Sequence, residues 1–484
     1  MDRLSRQTLV ALPSEVETPN YGKADISAGI VHFGVGNFHR AHQAAYFDTL
    51  LNAGEKTWGI VGVSMRSARM RDNLAPQDYL YTLAEVGEQT QLRVVGAIQT
   101  ILVAPQTPQD VINAVAQATT ELVTTTITEK GYCLGNGKVD DSHPDISHDL
   151  TSLEAPKTTY GFLAAALIKR HQSSGQPLTI LCCDNLNSGG ERLREGVALM
   201  LAKHGPDTQR WVNEQVAFAS SMVDRVTPAT DDALVNQLSP MLTVHDAAPV
   251  SAEPFTQWII EDNFAGKKPP LEQAGALFVS DISAFEKVKL RFLNASHSML
   301  AMMGYLMGDD YIHEAVARPL LARFADEALR LNVLPVTHVP SSISGDAYIE
   351  DVFTRFRNHH LPYRVLQVGS DSSQKIQQRW FPAIDDGLNQ QADVSYLAFA
   401  LAAWACFVDK AVKNNVLNDP QKEPLSAWVQ QESGDIANLL TIAEANKFGF
   451  YEHKGFMEQA REYQRSIAAS GIEAALKTFF NSLK

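Results

Sequence analysis

The feature that most narrows what this chain can fold into is an alternation that runs through roughly its first 280 residues and then stops. Short β-branched runs at Ile30–Phe33, Gly59–Val63, Leu92–Ile98, Val123–Thr128, Leu178–Cys183 and Leu277–Asp281 are interleaved with stretches of helical periodicity. Those stretches are Arg40–Leu51, Asp110–Ala118, Thr159–Gln172 and Gly190–Lys203. Strand–helix–strand alternation predicts a mainly parallel sheet covered by helices on both faces. After about Ser283 the strand signal fades, and long apolar-periodic stretches take over at Ile312–Leu331, Asp346–Arg357, Val394–Val412 and Phe456–Phe480. With 484 residues, the chain is long enough for two domains that each bury a core. The expectation is an α/β domain over residues 1–282 followed by a mainly α-helical domain over 283–484.

The first strand–helix unit carries the most local information. In "GIVHFGVGNFHRAHQAAYFDTLL", from Gly29 to Leu51, an apolar run enters Gly34-Val35-Gly36 and a helical stretch follows. Glycines at such a junction let backbone N–H groups approach a pyrophosphate at the positive end of the helix dipole. The usual dinucleotide fingerprint puts a third glycine at position 39, where this chain has His39. That glycine serves close helix–strand packing, so its loss weakens the signal without removing the chemistry. A structural turn and a cofactor loop both stay open on these residues, and the length of the unit from Gly29 to Ser64 favours the loop. At the end of the second strand, Val63-Ser64-Met65-Arg66-Ser67 lacks the carboxylate that usually holds a ribose 2′-hydroxyl. Arg66 and Ser67 could accommodate a 2′-phosphate, which keeps NADP beside NAD. The plain alternative is a solvated arginine.

Composition excludes some partners. A formal charge of −14 argues against nucleic acid or an anionic membrane as the main partner, though a small basic pocket can sit on an acidic protein. The N-terminal stretch MDRLSRQTLVALPSE has no signal-peptide pattern. The apolar segment Val394–Val408, 15 residues long, is short for a membrane span and reads as a buried core helix. Cys133, Cys182, Cys183 and Cys406 form no CxxC pair, so no disulfide or metal framework is expected and a cytoplasmic setting is the natural one. His32, His39 and His42 lie close together, but no fourth ligand of suitable spacing accompanies them, and no metal is expected.

The second informative stretch is "FEKVKLRFLNASHSMLAMMGYL", Phe285 to Leu306, which reads as helical throughout. On a regular helix, at about 100° per residue, Lys289, Asn294 and His297 fall within an arc of roughly 140°. Leu290, Leu293, Leu300 and Met303 supply an apolar stripe beside them. The combination suits alcohol oxidation. A partly desolvated lysine has a lowered pKa and, as a neutral amine, can take a hydroxyl proton. An asparagine amide can donate to a developing alkoxide, and a histidine can orient the substrate. The structural alternative is a lysine reaching solvent while Asn294 and His297 satisfy backbone groups.

The motifs "GxGNFHRAHQ", "TITEKGY", "CDNL", "MVDR", "EPFxQWIIEDNF" and "KLRFLNASHS" together resemble the polyol-specific long-chain dehydrogenases. That family includes mannitol 2-dehydrogenase, arabinitol dehydrogenases and the mannonate (fructuronate) oxidoreductases. The resemblance runs from about residue 29 to at least 380, and Lys-x4-Asn-x2-His matches the family's catalytic signature. It implies a Rossmann-type domain, a helical C-terminal domain and metal-independent hydride transfer in a cleft between them, with NAD as cofactor. The family's cofactor loop has the GxGxFHR form, so His39 is no defect in it. Carried over by motif, Lys289 is the general base, Asn294 and Asn185 stabilise the oxyanion, His297 holds the substrate and Glu286 relays the proton. Asp224 in "MVDR" and Lys375 in "SDSSQK" match substrate-facing positions. The cofactor side falls to Gly34, Gly36, Asn37 and Phe38, to Arg66 and Ser67, and to Glu129 and Lys130 in "TITEKGY".

Eight residues before Lys375, where the mannitol branch tends to carry arginine, this chain has Gln367. "QVGSDSSQK" and "FRNHHLPYRVLQ" lean toward the aldonate branch, with Arg364 placed to meet a substrate carboxylate or else a surface residue. The first expectation is therefore an oxidoreductase acting on a secondary alcohol of a sugar acid of the D-mannonate/D-fructuronate type. The alternatives are a mannitol- or arabinitol-type polyol 2-dehydrogenase and, from another class, a non-catalytic dinucleotide-binding sensor. A small-molecule substrate and a monomer complete the expectation.

Overall fold

The computed structural model describes residues 1–135, 137–230, 232–431 and 434–483. The chain divides into two compact units, Met1–Ile282 and Ser283–Lys484. The first is organised by an eight-stranded sheet. Its strands are β1 (Ala28–Phe33), β2 (Gly59–Ser64), β3 (Ile98–Val103), β4 (Leu122–Thr125), β5 (Leu178–Cys182), β6 (Val216–Asp224), β7 (Gln257–Glu261) and β8 (Leu277–Val279). Across the sheet the order is 3-2-1-4-5-6-7-8. Strands β1 to β6 run parallel, β7 is antiparallel to β6, and β8 follows β7 in parallel. The first six strands have the order of a Rossmann fold, with its switch point between β1 and β4.

Both faces of this sheet are buried, as parallel strands require. Successive residues of β1 enter opposite cores. Ile30 joins Phe47, Leu50 and Trp258 on one side, where the helix Gln43–Asn52 packs. Val31 and Phe33 join Val111, Leu163 and Leu193 on the other, under the helices Pro108–Ala116, Thr159–Gln172 and Gly189–His204.

Several sequence expectations need correction. Leu92–Ile98 is not one strand, because the chain turns at Gly96-Ala97. Gln91–Val95 pairs with Tyr81–Glu85 in a separate three-stranded sheet, and β3 begins at Ile98. The helix expected at Arg40–Leu51 is two pieces, Asn37–Ala41 and Gln43–Asn52, broken at His42. The nine-residue β6, entirely buried, was not anticipated at all. Its Ser220 and Ser221 interrupt the β-branched pattern, and burial on both faces removes any polar alternation.

The second unit is helical, and its core surrounds Ser395–Lys413, a helix of 19 residues. That helix is long and apolar enough to cross a membrane, and 78% of its apolar window is buried inside the protein. The stretch Ile312–Leu331 is interrupted at Pro319, which starts a new helix at its first position, as a residue lacking N–H can. Phe456–Phe480 likewise divides into Lys454–Ser470 and Ile472–Ser482 around Gly471, whose φ of 78° falls in the left-handed region.

Candidate active site

The carboxyl ends of β1, β2, β4 and β5 carry the first group of candidate residues. Gly34 follows β1 with φ 101°, and a Cβ there would stand 2.1 Å from the Thr126 carbonyl oxygen. Only glycine fits. Gly36 is exposed, and a Cβ on it would meet nothing nearer than the Gly34 oxygen at 3.9 Å, so the backbone can be approached closely. The turn is fixed from below by His32. The Gly34 carbonyl can only accept, so His32 Nε2 carries the proton it donates there at 3.2 Å, and Nδ1 accepts from the Thr124 hydroxyl at 2.7 Å. Burial pushes the His32 imidazole down to about 3, which keeps it neutral. Thr126 Oγ1 donates to the same Gly34 carbonyl at 2.8 Å.

His39 occupies the packing position of the missing glycine. Its buried ring stacks on His32, with centroids 3.4 Å apart. Burial, and then the field of His32, hold it well below the usual histidine range. The neighbouring side chains are engaged within the protein. Asn37 donates to the Pro228 carbonyl and Thr230 Oγ1 and accepts from Arg40, while Phe38 stacks on His42. Arg66 and Ser67 are exposed just beyond β2, and Glu129 and Lys130 are exposed in the turn after β4.

A feature that sequence reading missed ties the β4 and β5 ends together. Asp184 is buried, and its carboxylate accepts from the Thr128 backbone N–H at 2.8 Å, the Tyr132 hydroxyl at 2.7 Å and Thr125 Oγ1 at 3.1 Å. Burial raises its pKa, and these hydrogen bonds oppose the rise. Thr128 has φ 66°, a strained value for a β-branched residue that the Asp184 bond helps hold. The clamp sets the loops that present Glu129 and Lys130 on one side and exposed Asn185 on the other. Asp224 ends β6, buried and opposite Gln257 of β7.

In the second unit, the segment Ser283–Met307 is helical throughout but not regular. Ser283–Val288 and Ala295–Met307 are α-helical, and Lys289–Asn294 between them is a π-turn. This changes the geometry assumed for a regular helix. A turn closed by i→i+5 hydrogen bonds is wider than an α-turn and brings residues five apart toward one side of the helix. Lys289 and Asn294 therefore leave the same side of the helix, where a regular helix would separate them by roughly 140°. Glu286, Lys289 and Asn294 are all half-buried.

His297 follows one α-turn later. Its ring stacks on Phe356 at 4.9 Å and meets the edge of Tyr363 at 5.8 Å. Part of the residue reaches solvent, but Nε2 is enclosed and has no hydrogen-bond partner among the described residues. Burial, reinforced by Arg379, Arg355 and Lys375, pushes this imidazole down to about 3. Histidine is thus held as a neutral ring among three cations.

Lys375 and Arg379 lie four residues apart on the helix Ser372–Arg379, hence on one face. Lys375 donates to the Val368 carbonyl at 3.1 Å and Ser370 Oγ at 3.3 Å, and burial followed by the Arg379 charge lowers its pKa. Arg379 was not anticipated. The available signal was a like-charged Lys-x3-Arg pair on one helix with no acid between. Arg364 is exposed and lies over the Tyr311 ring at 5.4 Å, and Gln367 is exposed in the following turn.

Comparison with known proteins agrees with this two-unit fold. Residues 28–273 match the mannitol dehydrogenase Rossmann domain, and residues 281–468 the mannitol dehydrogenase C-terminal domain. A mannitol 2-dehydrogenase of Pyricularia oryzae is 34% identical, with 99% of each chain covered. Among solved structures, substrate-free D-sorbitol dehydrogenase superposes with a TM-score of 0.90 at 30% identity, covering 98% of this chain and all of that one. The ternary complex of Pseudomonas fluorescens mannitol 2-dehydrogenase with NAD and D-mannitol gives 0.84 at 35% identity, with 99% of each chain covered. Family matches over both units, with relatives about a third identical over nearly the whole chain, place this chain in the mannitol dehydrogenase family, whose members are oxidoreductases acting on an alcohol carbon.

Proposed function

We propose that this protein is an NAD-dependent polyol dehydrogenase, interconverting a secondary alcohol of an open-chain polyol of the mannitol or arabinitol kind with its ketose. The observation that carries the proposal is the π-turn that aligns Lys289 with Asn294, followed by a neutral His297 whose Nε2 has no partner among the described residues. Relatives named mannitol 2-dehydrogenase, and the solved complex with NAD and D-mannitol, support a polyol over the sugar acid expected from sequence.

The Gly34–Gly36 turn fits a dinucleotide because Gly34 has room only for backbone and the exposed Gly36 leaves its own backbone open to close approach. Arg66 and Ser67, exposed beyond β2, and Glu129 and Lys130, exposed after β4, are the further holders in this proposal. NAD, when bound, accepts a hydride from the carbinol carbon. Lys289, as a neutral amine, takes the hydroxyl proton and passes it toward Glu286, one helical turn earlier. Asn294 and Asn185 donate their amide N–H groups to the substrate oxygen as negative charge develops. Neutral His297 orients the substrate beside Asn294, and Lys375 and Asp224 bind hydroxyls farther along the chain. In the reverse direction Lys289 returns the proton. We further propose a cytoplasmic monomer, in line with four free thiols. A dimer in light scattering would refute the monomer.

The test follows nicotinamide absorbance for NADH and NADPH with fructose, xylulose, fructuronate and tagaturonate, repeated with Lys289→Ala. Ketose reduction is expected with NADH. In the variant kcat falls by ~10²–10⁴-fold, the range for losing a general acid–base, while NADH still binds. Turnover of the uronates alone would move the protein to the sugar-acid branch and give Arg364 its carboxylate role. NADH binding without turnover of any of them would favour the sensor.

A further inference from the structure

A π-turn is less favourable than the α-helix around it, so its position in Ser283–Met307 needs a cause. No proline lies in Lys289–Asn294. A second segment binds this stretch at three points. Arg379 donates from one guanidinium nitrogen to the Asn294 carbonyl at 3.1 Å and to Ser298 Oγ at 2.6 Å. Trp380, fully buried, donates its indole N–H to the Ala295 carbonyl at 3.2 Å. Arg291, inside the π-turn, pairs with Asp386 at 2.6 Å and donates to the Val336 carbonyl at 3.0 Å. Two successive helix carbonyls, at 294 and 295, thus take side-chain donors.

Arg379 differs from Arg291 in one respect. It forms no ion pair among the described residues, and burial alone pushes its pKa down to about 10. Arg379 is half-buried, so its guanidinium is partly withdrawn from water with no carboxylate to offset the loss, and ordinary helix packing does not call for that. Its charge also lies beside Lys375 and His297, where it favours the neutral form of each. The helix that presents Lys375 is the one that ends in Arg379.

We propose that Arg379 is a positioning residue for the oxidation: its bonds to the Asn294 carbonyl and Ser298 hydroxyl hold the π-turn in the register that puts Lys289 and Asn294 on one side of the helix. Arg379 touches neither substrate nor cofactor in this account. It acts through Asn294, and it rests on Lys289 and Asn294 being the reacting pair.

The experiment compares Arg379→Met, Arg379→Lys and Ser298→Ala with the unchanged protein. Each is assayed for kcat, for KM of ketose and of NADH, and for amide hydrogen exchange at residues 289–299. Misplacing a reacting group by about 1 Å costs on the order of 10²-fold. Arg379→Met is therefore expected to lower kcat by ~10²-fold with KM for NADH unchanged, and to speed exchange at 294–298. Arg379→Lys reaches one acceptor and recovers part of the loss. Ser298→Ala, which leaves the guanidinium in place, gives a smaller fall in the same direction. A folded Arg379→Met with kcat unchanged overturns the proposal. Should Arg379→Met fail to fold, Ser298→Ala decides: unchanged kcat and exchange overturn it, and a lower kcat with faster exchange supports it. Absence of turnover in the unchanged protein with every ketose and uronate instead defeats the reading of Lys289 and Asn294 themselves.

Discussion

His297 is expected to stay neutral at every pH where the protein works, and the size of that preference follows from its surroundings. Desolvation between Phe356 and Tyr363, followed by the charges of Arg379, Arg355 and Lys375, pushes the imidazole from 6.5 down to about 3. The gap of about 3.5 pH units corresponds to about 5 kcal/mol against protonation, at roughly 1.4 kcal/mol per unit, and solvent reaching part of the residue makes this an upper bound. The sign is opposite to that of a salt-bridged histidine. Above pH 6.5 neither folded nor unfolded chain holds the proton, and the group costs nothing. As pH falls from 6.5 toward 3 the unfolded chain takes up the proton first, and stability is lost progressively. A titration of labelled imidazole by NMR, alongside kcat/KM against pH, reads both consequences. His297 should show no transition near 6.5, and kcat/KM no histidine step there. Phe356→Ala removes the stacked ring and admits water, which should raise the transition toward 6.5 and make activity fall in mild acid. A wild-type His297 that titrates near 6.5 would show that neither desolvation nor the neighbouring cations hold the ring neutral.

Two predictions concern the Rossmann unit. Gly34→Ala sets a Cβ 2.1 Å from the Thr126 oxygen at φ 101°, so the turn must move. Strain of about 1–3 kcal/mol is expected, seen as weaker NADH binding in a fluorescence titration, and unchanged affinity would remove Gly34 from the cofactor site. Asp184→Asn offers one acceptor where three donors converge. It should lower stability by about 1–3 kcal/mol in urea unfolding and reduce kcat through Asn185. Full activity in that variant would show that the clamp does not position Asn185.

Much of the fold is legible in the residues because local periodicity and burial agree. Thr159–Gln172 forms as read, with the Thr158 hydroxyl accepting from the Gly161 N–H, and the core helix Ser395–Lys413 lies within a residue of its expected limits. Errors fall where tertiary contact overrides pattern. The buried strand Val216–Asp224 has no alternation to see. Gly96-Ala97 ends one strand and begins another inside what reads as a single apolar run.

The identities of the candidate chemical groups were determined by sequence alone: a glycine turn after the first strand, and Lys289, Asn294 and His297 at spacings that match the family's pattern. Their alignment was not. On a regular helix Lys289 and Asn294 diverge, and only the π-turn brings them together. That turn is held by Arg379, Trp380 and Asp386, which lie more than eighty residues away in the chain. The neutrality of His297 belongs to the tertiary structure for the same reason, since desolvation and the fields of distant cations exist only once those segments have packed.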